Sequence, residues 1–150
     1  MQTLLVPELV ALNVVETRRC QAIREVAGLL RTHERMKDFE KFYQEVLKRE
    51  REETTCLGCD TAIPHARTDH VAGMVLAVGR SREGVLFENS NQRVHFVFVV
   101  GTPKQMAMEY LRVVGTLARL MKRDDIREQL AGAATPEAFI EVLGRAENAL

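Results

Sequence analysis

The stretch Val94-His95-Phe96-Val97-Phe98-Val99-Val100 decides the fold class, because β-branched and aromatic side chains fill it almost without a polar interruption. A run so short and apolar at successive positions reads as a strand covered on both faces. Met74-Val75-Leu76-Ala77-Val78 has the same character, and turn-forming residues at Arg80 to Gly84 and Glu88 to Gln92 punctuate the two runs. Strands of this kind need helices on either side, and the rest of the chain offers them. The expectation is an α/β layered sandwich, a mixed β-sheet flanked by helices on both faces.

Working outward, the chain opens irregularly from Leu4 to Val15. Thr17 is placed to cap a helix whose Ile23, Val26, Ala27 and Leu30 share one face. From about Glu34 to Arg51 a second stripe runs through Met36, Phe39, Tyr43, Val46 and Leu47, with Glu40, Glu45, Lys48 and Glu50 on the wetter side. Periodicity then stops: Glu53 to Arg67 has a turn-forming composition and reads as an exposed loop, extended only at Ala62 and Ile63. Beyond Thr102-Pro103, a helix from about Gln105 to Lys122 carries Tyr110, Val113, Val114, Leu117, Leu120 and Met121 inward. A short helix starts at Asp124, and Thr135-Pro136 opens the last one, a capping hydroxyl before proline at the first helical position. No repeat or linker divides residues 1–150, so one domain is expected.

The 150 residues are 46% hydrophobic and 28% charged, a balance that excludes disorder and low-complexity architectures. Lys plus Arg (21) cancels Asp plus Glu (21), which removes the overall pull expected of a nucleic-acid binder. No apolar stretch approaches the ~20 residues of a membrane span. Pro7, Glu8 and Asn13 interrupt the amino-terminal segment, so it does not read as a signal peptide. Three cysteines, Cys20, Cys56 and Cys59, are an odd number and fit reduced thiols in the cytoplasm.

Of the four histidines, His65 lies where its neighbours look arranged around it. Pro64 has a fixed φ and biases Ile63 to an extended conformation, so Ala62-Ile63-Pro64 delivers His65 into a turn with little freedom. Gly58 and the Thr54-Thr55 pair offer amides and hydroxyls to an anion, and Arg49 and Arg67 offer charge. From spacing alone, His65 is either a positioned nucleophile or a histidine that hydrogen-bonds its own turn.

Leu57-Gly58-Cys59-Asp60-Thr61-Ala62-Ile63-Pro64-His65-Ala66, preceded by Arg49-Glu50 and Thr55, resembles the phosphorylation-site signature of phosphotransferase-system IIA domains of the mannitol/fructose and nitrogen-regulatory type. The resemblance continues through Val78-Gly79-Arg80-Ser81, Glu83 to Phe87, Val94 to Gly101 and the helix Glu109 to Met121. It implies the corresponding fold and a phosphotransferase role. His65 would accept a phosphoryl group from phospho-HPr, or its nitrogen-system equivalent, and pass it to a sugar-specific IIB component. Arg49, Thr55, Gly58, Arg67 and Tyr110 would stabilise the phosphate, with no cofactor, metal, nucleic acid or membrane insertion involved. The alternative role is regulatory, with the phosphorylation state of His65 controlling binding to a partner protein and no sugar transported.

Tyr110 stands where many family members carry a second active-site histidine; it can donate a hydrogen bond but cannot act as an imidazole does. Asp60 and Thr61 replace a frequent glycine and an aliphatic residue, and an acid there could orient the His65 imidazole or repel phosphate. Cys56, Cys59, His65 and His70 are spaced C-x2-C-x5-H-x4-H, which is compressed for a structural zinc site and reads instead as incidental thiols. A reactive thiolate pair beside Arg49 or Arg51 is a softer alternative. His33 and His95 read as structural.

Overall fold

The computed structural model describes residues 1–150, apart from the side chain of Gln2. Ten elements beyond three short 3-10 turns build it: β1 (Val10–Ala11), α1 (Arg19–Ala27), α2 (Phe39–Glu52), β2 (Thr61–Ala62), β3 (His65–Arg67), β4 (Val75–Phe87), β5 (Gln92–Thr102), α3 (Ala107–Met121), α4 (Asp124–Ala131) and α5 (Pro136–Asn148). β4 and β5 pair antiparallel, with Leu76 opposite Val100 and Val85 opposite Val94. β1 runs parallel to β4, while β2 and β3 follow one another parallel to β5, so the sheet is mixed and ordered β1-β4-β5-β2.

Side chains alternate across a strand, so the contacts of β4 and β5 sort the helices into layers. A Cβ built on Gly101 would meet Phe42 of α2, and one on Gly79, opposite Val97 on the same face, would meet Val26 of α1. Phe96 points the other way, with its ring 6.5 Å from that of Phe139 in α5. Both faces are therefore covered, as continuous apolar strands require. Phe42, Phe87, Phe96, Phe98 and Phe139 are almost fully buried, each contributing about 2–3 kcal/mol of apolar burial.

The strands are longer than their apolar cores. Arg80 to Gly84 does not end β4: the chain continues through it with a register shift between Arg80 and Val85. Gly84 takes φ +90° there, and its N–H donates to Ser81 Oγ at 2.9 Å. A bulge thus carries polar residues along the strand without breaking it. The other turn signal is realised at Glu88 to Asn91, where Asn91 adopts φ +51°.

Five local expectations need correction. α1 begins at Arg19 without a side-chain cap, because Arg18 and not Thr17 occupies the N-cap position; Thr17 O accepts from Leu86 N–H at 2.9 Å. α2 begins at Phe39, capped by Asp38, whose carboxylate accepts from Lys41 N–H at 3.1 Å; Met36 bridges to Val71 ahead of it. Glu50 is not on a wet face but 1% exposed. The stretch Thr61 to Ala66, expected to be exposed, is buried throughout because it completes the sheet edge beside β5. α3 starts at Ala107, two residues later than the periodicity suggests. The carboxy-terminal helices form as expected, with Thr135 Oγ1 accepting from Ala138 N–H at 3.0 Å. Among the described residues, no helix is long and apolar enough to cross a membrane.

Candidate functional site

Pro64 separates β2 from β3, and each pairs with β5, so the break in the edge strand falls immediately before His65. Pro64 O accepts from Val100 N–H at 3.0 Å, which anchors the break on the central strand. Ala66 pairs opposite Gly101, whose missing side chain faces Phe42 of α2. His65, one residue earlier, therefore points to the opposite face, toward α3. Its ring lies 5.2 Å from that of Tyr110, centroid to centroid, tilted by 48°.

His65 is only 8% exposed, and its Nδ1 lies 2.7 Å from the carbonyl oxygen of Ile63. A carbonyl can only accept, so this contact places the proton on Nδ1 and leaves the lone pair on Nε2. Burial pushes the pKa of His65 below its ordinary value, and the Arg49 charge pushes the same way; the Ile63 bond and Glu50 oppose them. The imidazole is thus neutral near pH 7, as nucleophilic attack requires. The two readings of His65 are not exclusive: it bonds its own turn through one nitrogen, and that bond frees the other.

A cavity of about 410 Å³ opens at this sheet edge between α2 and α3. His65, Arg49, Arg67 and Tyr110 line it together, joined by Glu45, Lys48, Glu52, Ala66 and Lys104. Four cations face two carboxylates there, so the cavity suits an anion. Arg49 Nη1 donates to the carbonyl of Glu53 at 2.8 Å, which fixes the guanidinium at the end of α2 and leaves its other N–H groups for a ligand. Burial raises the pKa of the Tyr110 phenol, against the opposing charges of Arg49 and Arg67, so near pH 7 it remains a donor.

Thr55 and Gly58, expected beside the phosphate, do not line this cavity. The Thr55 hydroxyl donates to Glu50 Oε2 at 2.5 Å, and its N–H also reaches that carboxylate. Its carbonyl accepts from Ile63 N–H at 3.1 Å, so Thr55 positions the peptide that holds His65. Gly58, at φ +79°, turns the segment that returns Cys56 alongside Ala62. Asp60 is directed away from His65: its Oδ1 lies 2.6 Å from His95 Nδ1. Burial raises the pKa of both Cys56 and Cys59, opposing the expectation of a reactive thiolate pair. Among the described residues, no three His, Cys, Asp or Glu side chains converge as a metal site.

Glu45, Lys48 and Glu52 were legible in principle, since with Arg49 they follow the i, i+3, i+4, i+7 spacing of one helical face. The buried acceptor Glu50 had no such signal within its run of charged neighbours.

Similarity to known proteins bears on the family and the fold. The chain is 29% identical over 137 residues to the fructose-specific EIIA component of Haloferax volcanii, covering 91% of this chain and 89% of that one. It is also 29% identical over 143 residues to the fructose-specific EIIABC component of Bacillus subtilis, covering 95% of this chain but only 22% of that much longer protein. Among solved structures, nitrogen regulatory protein IIA-Ntr of Neisseria meningitidis superposes with a TM-score of 0.87 at 26% identity, covering 95% of this chain and 97% of that one. Because the family model for the phosphoenolpyruvate-dependent sugar phosphotransferase system, EIIA 2, matches residues 3–146, the chain belongs to that family.

Proposed function

We propose that residues 1–150 act as one cytoplasmic phosphocarrier domain in which His65 Nε2 accepts a phosphoryl group from phospho-HPr or its nitrogen-system equivalent and passes it to a IIB component. The observation that carries this is the 2.7 Å contact of His65 Nδ1 with Ile63 O inside a cationic cavity, since it leaves Nε2 unprotonated where an anion is attracted. In the transfer, the Nε2 lone pair attacks phosphorus, the donor's N–P bond breaks, and the donor nitrogen keeps the electron pair. Arg49, Arg67 and the Tyr110 hydroxyl are the proposed stabilisers of the equatorial oxygens, a task that rests on positioning and charge. Thr55 and Gly58 serve it indirectly, by shaping the backbone that presents His65.

The likeness to the Neisseria IIA-Ntr structure favours a second reading, in which phosphorylation of His65 controls binding to a regulated partner and no sugar is moved. Tyr110 suits it: a phenol can hold a phosphoryl group in place by hydrogen bonding but supplies no second imidazole for onward transfer.

Incubation with phosphoenolpyruvate, the general phosphotransferase protein and HPr, scored by intact mass at neutral pH, tests the shared step. Wild type is expected to gain one phosphate and His65→Ala none. Absence of uptake with cognate donors overturns both readings, and transfer onward to a IIB domain separates them.

A further inference from the structure

A second cavity, of about 390 Å³, lies on the α4 side of the sheet and is used by nothing described above. Arg80, Ser81 and Arg82 of β4 all line it, with Ser81 buried and Arg82 exposed. Arg127 and Glu128 of α4 line it as well, together with Asp60, His95 and the apolar Phe96.

The charges in this cavity are unequally satisfied. Arg80 spends its N–H groups on carbonyls, Nε on Leu12 and Nη1 on Leu130, Ala131 and Ala133. Burial and then the neighbouring Arg82 charge disfavour its protonated form, so two like charges are held near each other on one wall. Arg82 itself is exposed. Arg127 is held by Met121 O and Asp124, partners outside the cavity lining. Among the acidic groups of the lining, His95 N–H and Nδ1 both bond Asp60 Oδ1, leaving Oδ2 as an acceptor, and Glu128 is exposed.

We propose that this cavity binds a small phosphate ester carrying hydroxyl groups, with the phosphate between Arg82 and Arg127 and the hydroxyls on Asp60 and Glu128. Clustered arginines match phosphate oxygens, carboxylates accept from hydroxyls, and the volume suits a single small ligand. Sugar phosphates and mononucleotides share this chemistry. The site is separate from the His65 cavity and holds whether or not His65 is phosphorylated.

The test is titration of the 15N-labelled protein, followed by amide chemical shifts, with glucose 6-phosphate and AMP as probes and glucose and inorganic phosphate as controls. At least one ester is expected to saturate at a Kd at or below about 1 mM and at least tenfold more tightly than either control, with shifts centred on Arg82, His95 and Glu128; which ester does so identifies the source. Arg82→Gln, at an exposed position, is expected to weaken that binding at least tenfold, while Arg49→Gln, which removes one of the four cations of the other cavity, leaves it unchanged. Binding no tighter than inorganic phosphate overturns the proposal. So does binding lost in Arg49→Gln and kept in Arg82→Gln.

Discussion

Nδ1 of His65 lies 2.7 Å from the carbonyl oxygen of Ile63, a bond spanning two residues across Pro64. The ring is buried at 8% exposure and packed against Tyr110, so burial and this bond together keep it from turning over to exchange its nitrogens. The phosphoryl group is therefore expected on Nε2 alone. Phosphorus and nitrogen NMR of the phosphorylated protein should show a single Nε2-phosphohistidine; a dominant Nδ1 species contradicts the assignment.

Burial lowers the pKa of His65 from an ordinary 6.5. Between the folded value and 6.5 the unfolded chain binds a proton that the folded chain does not. This contribution to stability is complete above pH 6.5 and lost as pH falls through the folded pKa. Urea denaturation across that range should show a smaller pH dependence in His65→Ala than in wild type, and the wild-type imidazole should titrate below 6.5. The phosphorylation rate should accordingly stay level as pH falls from 8 to 6.5.

Arg49 reaches the cavity with its guanidinium fixed by the Glu53 carbonyl. Arg49→Gln is expected to slow phosphorylation of His65 roughly 100-fold, on the scale of removing one preorganised donor from a transition state. Its melting temperature should stay near wild type. Comparable rates in stopped-flow or quenched assays for the two proteins count against a phosphate role.

Tyr110 covers His65 chiefly with its ring. Tyr110→Phe should leave the His65 titration midpoint where it is, whereas Tyr110→Ala should raise it toward 6.5 by readmitting water. A midpoint unmoved by the alanine change means that other groups exclude solvent there.

Glu50 accepts bonds from Thr55 N–H, Thr55 Oγ1 and Asn89 Nδ2 while 1% exposed. Glu50→Ala strands those donors and opens a void, so a loss of about 3 kcal/mol is expected by urea denaturation. Gly101→Ala tests the layer above: its Cβ would sit 2.6 Å from Phe42 Cε1, and overpacking there should cost about 1–3 kcal/mol. A change of less than 0.5 kcal/mol in either variant is outside the range usual for these mechanisms.

By itself the sequence determined the layer type and singled out His65 as the candidate residue. Val94 to Val100 and the amphipathic stripes carry their periodicity locally, and Pro64-His65 restricts its own backbone locally, so both were legible without contacts. Thr135 likewise capped the last helix as its position predicts. Only the tertiary structure decided what faces what. Whether Glu50 is wet or buried, whether Asp60 meets His65 or His95, and whether Thr55 turns to the phosphate or to Glu50 all depend on partners 5 to 39 residues away. Sequence pattern reports the period of a face but not the identity of its neighbour, because hydrogen bonds and burial are settled by which elements pack together.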